Sequence, residues 1–446
     1  MKILFIESRE IINLFRLVGD KLKEEGYSSN YLILNKFYSK KRDDEILIPA
    51  TRKKYKVLKE NIKLFDKIKT SDRQFNDFGA KDYSHYQYYH DKITEIISKL
   101  NPDIIIGEAA SFQDLLTIEV AKKNNILYLN PMSCRYPKSR FSFYQYDSCN
   151  PYLGSGEIKS EEKTILEIDE IINRKILPDY MKKKEKTKKK TFLKDRFNKF
   201  LFSAMNDKNT PNSLKYISKN RENKRIRKKW EAVSKVQLIA KKFGLLFPLQ
   251  MQPEGNIDVF GVKYRNQTKV ISKLISVIPK DIILYVKPNP KSRYEITDDI
   301  IKLAKENSNL ILLPHSLEMS DIIKNIDLVI TNTGTIAIEC ILNNTPISIL
   351  SKYFFNTASN CIYINDINDI NDIINLVKIN EFPTLTKKEI LNYFNSLRRT
   401  SYEGIMSSDS TDNTNINLLT NSFLSMLLKH ERILLENIEK KSNFVT

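Results

Sequence analysis

The chain has 446 residues, more than one ordinary hydrophobic core organises, so two domains with additions are expected. An apolar content of 41% excludes a disordered chain, and four cysteines without a CxxC pair or a His/Cys cluster exclude a disulfide scaffold or a structural zinc site. The net charge of +19 is local: residues 181–230 carry +15 of it, so the basicity belongs to one segment.

From the N-terminus, Ile3–Ile6 reads as a first strand, not a signal peptide, because a glutamate follows at once. Ile11–Glu25 has helical apolar spacing, with Gly26 suited to its C-terminal cap, and Tyr31–Leu34 reads as the next strand. Residues 51–98 read as helical. Asn101-Pro102-Asp103 breaks the chain before the apolar strand Ile104–Ile106; a helix over Phe112–Lys123 and a strand over Ile126–Leu129 follow. This β-α-β order predicts a parallel sheet with right-handed crossovers. Residues 160–235 favour helix and are rich in lysine, and Phe192, Phe197, Phe200, Leu201 and Phe202 give them an apolar face. Such a face packs on a core or lies at a bilayer surface.

The alternation restarts near residue 244. Strands are expected at Leu245–Leu249, Ile282–Val286, Leu310–Leu313, Leu328–Ile330 and Ile347–Leu350. Helices are expected at Asn266–Val277, Ile296–Glu306, Met319–Asn325 and Thr335–Leu342, and again from Lys387. No apolar run approaches the length of a membrane span. The expected fold class is therefore α/β, with two Rossmann-like parallel-sheet domains, a basic helical insert and C-terminal helices. The boundaries read as 1–160, 161–240, 241–378 and 379–446. Two such halves around a cleft form the GT-B arrangement of nucleotide-sugar glycosyltransferases and related epimerases.

Polar clusters follow the strands, where open α/β sheets bind ligands. Thr333, Gly334 and Thr335 join a strand to a helix start, a pattern suited to a phosphate, and Glu339 lies one turn on, placed for ribose hydroxyls. Lys287 and Asn289, in Lys287-Pro288-Asn289-Pro290, offer a cation and an amide at another strand end, and His315 follows the next. Gln252 and Glu254 precede a segment, Asn256–Phe260, that reads as extended; Glu254 is a candidate acid, base or sugar contact. In the first half Glu7 and Glu108 end two strands and are candidate general bases, while Arg135 is placed for an anionic donor or acceptor.

Phe247–Glu254, Asn266-Gln267, Leu284–Lys287 with its proline loop, and Thr331–Glu339 with Asn344-Thr345-Pro346-Ile347 resemble the capsule polysaccharide biosynthesis family, which includes Kdo transferases. The resemblance is clear over roughly 240–355, weaker over 100–146 and absent over 160–235. It implies a GT-B, metal-independent glycosyltransferase that moves a sugar from a nucleotide-sugar, CMP-activated in Kdo-transferring members, to a lipid-linked or polysaccharide acceptor. The nucleotide-sugar is a substrate, and no cofactor is implied. A His-Pro pair is expected beside the donor phosphate, and this sequence has Asn289-Pro290 there. The alternatives are a GT-B scaffold that has lost its chemistry and a nucleotide-sugar 2-epimerase. A cytoplasmic placement is expected, peripheral to an anionic membrane through 181–230, with nucleic acid a poorer partner.

Overall fold

A computed structural model describes residues 1–51, 53–176, 213–236, 239 and 242–443. Its strands form two sheets. The first contains β1 (Lys2–Ile6), β2 (Ser28–Ile33), β3 (Glu45–Leu47), β4 (Ile104–Ile106), β5 (Leu127–Ser133), β6 (Arg140–Gln145) and β13 (Tyr402–Glu403), in the order β13-β6-β5-β4-β1-β2-β3. β1 to β5 are parallel, β6 runs antiparallel to β5, and β13 antiparallel to β6. The second contains β7 (Gly244–Pro248), β8 (Ile283–Lys287), β9 (Leu310–Leu312), β10 (Leu328–Thr331), β11 (Ile347–Ile349) and β12 (Cys361–Tyr363). Its order is β12-β11-β10-β7-β8-β9, and every pair is parallel. This is the expected GT-B-like pair of Rossmann-type sheets. In each, the strand order reverses beside the first strand of the domain, which opens a crevice at the carboxyl ends of β1/β4 and β7/β10.

The short central strands are buried on both faces, which is why they read as unbroken apolar runs. Ile104, Ile105 and Ile106 are fully buried, as are Leu328, Val329 and Ile330. The first sheet packs with α1 (Ile11–Glu24), α2 (Ile62–Lys69), α3 (Arg73–Asn76), α4 (Ser84–Leu100) and α5 (Phe112–Lys123). Ser111 and Asp114 form a capping box that starts α5 directly after the β4 loop. Next come α6 (Glu161–Ile172) and α7 (Ser213–Val233), then α8 (Gln267–Val277), α9 (Asp298–Glu306), α10 (Met319–Ile323), α11 (Ile336–Leu342) and α12 (Ile370–Lys378). The chain closes with α13 (Lys387–Arg399) and α14 (Asn413–Asn443).

Several expectations change here. Residues 51–98 are not one helical stretch: α2 has eight residues and α3 four, and Gly79 with φ +70 breaks the path before α4. Asn256–Phe260 is a π-helical turn, not extended, because the backbone N–H of Glu254 and the Asp258 carboxylate close the loop on itself. The end of the chain returns to the first domain. β13 extends the first sheet, and Phe423, Met426 and Leu427 of α14 join its core beside α1. Of the basic insert, α6 and α7 pack on the second domain through Ile168, Ile171, Ile226 and Trp230. The aromatic stretch Phe192–Phe202 lies outside the described residues. Among the described residues no helix is long and apolar enough to cross a membrane.

Candidate functional site

The two switch-point crevices face each other. Arg135, after β5, lies 3.5 Å from the Glu254 carboxylate after β7. A methyl group at Gly255 would meet the carbonyl of Ala109 at 3.3 Å, so the β4 and β7 loops are in contact. Arg73 at the start of α3 lies 3.7 Å from Asp258, and Tyr353 after β11 donates to Asn256 Oδ1 at 2.7 Å. Both Arg9 (φ 62) and Arg135 (φ 68) hold left-handed backbone at strand ends, a conformation that costs an arginine about 1–2 kcal/mol.

On the first-domain side, Glu7 is buried, accepts the backbone N–H groups of Arg9 and Leu34, and is pushed up to about 7 by burial. Its oxygens therefore hold the loops after β1 and β2. Asp114 accepts the Ser8 hydroxyl at 3.0 Å and rises to about 6, again chiefly through burial. Glu108 differs. Burial lifts it to about 7 and the Asp114 charge adds to this, while Arg9 and Arg73 oppose it; among the described residues no hydrogen bond reaches its carboxylate. Of the two first-domain glutamates read from the sequence, Glu108 is the one with free oxygens at the crevice.

On the second-domain side, Asp258 organises the loop after β7. It is fully buried and accepts Arg265 Nε at 2.7 Å, Gln252 Nε2 at 3.2 Å and the Glu254 backbone N–H at 3.1 Å. Gln252 also accepts from Gln267 and is spent on this network. Glu254 accepts from Asn256 Nδ2 at 3.0 Å, and burial raises its carboxyl above the usual range although Arg135 opposes this.

The threonine loop reaches the same crevice but uses its groups internally. Thr333 Oγ1 accepts from Gln250 Nε2 at 2.9 Å and donates to the Asn256 carbonyl at 3.0 Å, while its N–H donates to Gln250 Oε1 at 3.2 Å. A methyl group at Gly334 would collide with the Thr331 hydroxyl at 2.6 Å, so the glycine serves a tight turn. Thr335 precedes α11 without a side-chain cap. Glu339 accepts from Tyr136 Oη at 3.2 Å and Arg174 Nη1 at 2.8 Å, which closes the two halves upon each other.

Lys287, Asn289 and His315 form a separate group on the β8/β9 side. Lys287 is 3% exposed, and its ammonium donates to the carbonyls of Pro288 and His315, both at 3.2 Å; burial lowers it to about 8. Asn289 Oδ1 accepts the Lys291 N–H at 2.8 Å and holds its own turn. His315 Nδ1 pairs with Glu231 of α7, and burial lowers its pKa below the usual value. Thr333 and Glu254 thus share one cluster through Asn256, while Lys287 stands two strands from β10.

Sequence reasoning missed Arg9, Arg73, Asp258 and Glu231. Arg9 carried a weak signal, two residues beyond Glu7. The other three depend on chain paths that spacing does not reveal. Among the described residues no group of His, Cys, Asp or Glu is arranged to hold a metal ion.

Residues 161–359 match the family of the capsule polysaccharide biosynthesis protein: the resemblance read from residues 240–355 falls within the matched stretch, and the match also takes in 161–235, where no resemblance was read. No curated protein matches the chain. Among solved structures, a KpsC beta Kdo 2,7 transferase from Thermosulfurimonas dismutans is 9% identical, covering 94% of this chain and 99% of that one, with a TM-score of 0.39. A KpsC beta Kdo 2,4 transferase from the same organism is 10% identical over 72% of this chain and 86% of that one, with a TM-score of 0.37. A UDP-GlcNAc 2-epimerase from Methanocaldococcus jannaschii, in complex with UDP-GlcNAc and UDP, is 13% identical over 89% and 99%, with a TM-score of 0.29.

Proposed function

We propose that the protein is a glycosyltransferase that moves a sugar from a nucleotide-sugar to a lipid-linked or polysaccharide acceptor in surface-glycan synthesis. The observation that carries this reading is the crevice between two Rossmann-type sheets, where Glu108 lies within the field of Arg9 and Arg73, and where its neighbour Ala109 meets Gly255 next to the Arg135–Glu254 pair. The family match over the second sheet supports the same class. A carboxyl group near 7 suits a general base at neutral pH. Glu108 would take the proton of the acceptor hydroxyl, Arg135 would meet developing negative charge, and Glu254 would hold Arg135 and a sugar hydroxyl. The nucleotide would lie along the carboxyl ends of β7 to β10, and no metal is invoked, because arginine and lysine side chains at that edge supply positive charge for the leaving phosphate. A membrane-apposed placement through residues 181–230 belongs to the same proposal.

Isothermal titration of the full chain with CMP, UDP and GDP tests the nucleotide half of the reading. Binding of one of them is expected, and transfer from the matching sugar nucleotide should vanish in Glu108→Gln while nucleotide affinity stays. Absence of binding to all three would leave a scaffold that kept the fold. Asn289, where the resemblance expects a histidine, favours that alternative, since an amide carries no charge toward a phosphate.

A further inference from the structure

Helix α7 of the basic insert touches both domains. Its far end is rooted in the second, where Ile226 and Trp230 are buried and Trp230 Nε1 donates to the Leu313 carbonyl at 2.9 Å. Its first turns reach the crevice. The Tyr216 ring lies 4.8 Å from that of Phe78, which follows α3, and Phe78 lies 6.3 Å from Tyr294, which follows β8. The Tyr294 N–H donates to the Gln252 carbonyl at 3.2 Å, and Lys219 of α7 stands 5.6 Å over the Tyr294 ring. Three rings, one each from the first domain, the insert and the second domain, thus meet at one end of the crevice. Tyr216 remains 40% exposed there.

Beside Tyr216 stand two arginines whose donors are unspent. The charges of Arg9 and Arg73 act on the Tyr216 hydroxyl and on Glu108 alike. Among the described residues no hydrogen bond takes up either guanidinium, and Arg73 has one ion-pair partner, Asp258, 3.7 Å from its Nε. That carboxylate is already held by Arg265 at 2.7 Å. Two buried polar atoms on this wall, Arg73 Nε and Asp77 Oδ2, have no hydrogen-bond partner. Burial and then the charge of Arg9 lower the pKa of Arg73, so the two guanidiniums repel each other. A fold gains nothing from holding like charges together unbonded. The arrangement becomes favourable once an oxyanion lies between them, because each guanidinium then donates to it.

We propose that Arg9 and Arg73 form an oxyanion seat in the crevice, walled by Tyr216 and Phe78, that holds the acidic group of the acceptor. The guanidiniums take the oxyanion, the rings take the apolar face of a sugar, and a hydroxyl of that sugar is left toward Glu108. The oxyanion is a carboxylate on the accepting sugar or a phosphate on its carrier. The seat deepens the glycosyltransferase reading and rests on it only in naming the ligand an acceptor. Tyr216 makes the insert part of the binding site.

The test is calorimetric titration of the full chain at low ionic strength with methyl glucuronide, glycerol 3-phosphate and, as the uncharged control, methyl glucoside. Both anions should bind, the tighter one naming the source of the oxyanion, and methyl glucoside should not. Arg9→Gln and Arg73→Gln should each weaken anion binding about tenfold or more. Tyr216→Ala should weaken methyl glucuronide more than glycerol 3-phosphate, since only the first presents a ring. Thermal melts without ligand check folding, and Arg9→Gln, at an exposed position, should leave the melt unmoved where an arginine with a structural task would shift it. A saturating nucleotide should change the anion affinities by no more than about twofold, because donor and acceptor occupy the crevice together. Equal binding of methyl glucoside, no binding of either anion, unchanged affinity in both arginine variants, or displacement of the anions by nucleotide would overturn the seat. Nucleotide binding alongside any of these results would leave the transferase reading standing without it. Anion binding with the expected variant pattern, in a chain that binds none of CMP, UDP and GDP, would support the seat and refute the transferase reading.

Discussion

Replacing Asp258 by asparagine removes one charge and one acceptor without changing shape, at a site where three donors and the Arg73 guanidinium converge. The carboxylate is fully buried; Oδ1 takes Arg265 Nε and Gln252 Nε2, while Oδ2 takes the Glu254 N–H and lies 3.7 Å from Arg73 Nε. An amide keeps one oxygen, which the Arg265 side claims, and turns its NH₂ toward the Glu254 N–H and Arg73. The lost hydrogen bond to a charged acceptor is worth about 1.5–3 kcal/mol. Uncoupling the half-buried Arg73 and Arg265 from this fully buried carboxylate brings the total to about 3–5 kcal/mol, the range for breaking a buried pair by removing one partner. Urea unfolding measures this, because the single tryptophan, Trp230, is fully buried in the second domain and reports its loss by fluorescence. With a slope of about 2 kcal/mol per molar, the midpoint should drop by about 1.5–2.5 M. The double variant with Arg265→Met should recover part of the loss through a coupling of about 1–3 kcal/mol. A loss below about 1 kcal/mol would refute the view that this carboxylate organises the crevice from a desolvated position.

Three more outcomes are expected. Thr333→Val should cost about 1–3 kcal/mol, read by the same unfolding assay, and should leave nucleotide affinity within a factor of about two, since the hydroxyl is already bonded to Gln250 and Asn256. Glu7 and Glu108 both rise from 4.5 to about 7 on folding, so the native state holds protons that the unfolded chain releases; their contribution is full below about pH 4.5 and is lost as pH rises through about 7, and Glu7→Gln should flatten that part of the stability–pH curve. Trp230→Ala should cost about 3–5 kcal/mol in a thermal or denaturant melt followed by circular dichroism, because the largest fully buried side chain of α7 leaves a cavity against Leu313.

The parts of the molecule that were readable are those governed by local pattern. Ile104–Ile106 and Leu328–Ile330 are continuous apolar runs bounded by turn residues, and such runs can only be buried parallel strands in this context. The polar groups at their ends were placed correctly along the chain for the same reason. What they touch was not readable. Thr333 has the composition of a phosphate loop, yet its hydroxyl is consumed by residues 77 and 83 positions away. Arg73 and Asp258 meet across two domains, and nothing in either neighbourhood announces the other. Asn256–Phe260 looked extended because five residues are too few for helical periodicity to show. β13 is two residues long and takes its place from a partner strand, not from its own composition.

The return of residues 402–443 to the first sheet has a bearing on biogenesis. Two polypeptide crossings connect the lobes near one another and are stitched together: Arg140 Nε donates to Ser401 Oγ at 2.8 Å, Ser142 Oγ to the Thr400 carbonyl at 2.7 Å, and the Gly156 N–H to the Arg399 carbonyl at 3.0 Å. Gly154 lies so close that a methyl there would stand 1.8 Å from the Arg399 oxygen. On the ribosome, the lobe begun first is therefore finished last. Until Tyr402 and Phe423 emerge, Phe141 and Phe143 stay uncovered, and the nascent protein must wait for its own tail before that aromatic surface is sealed.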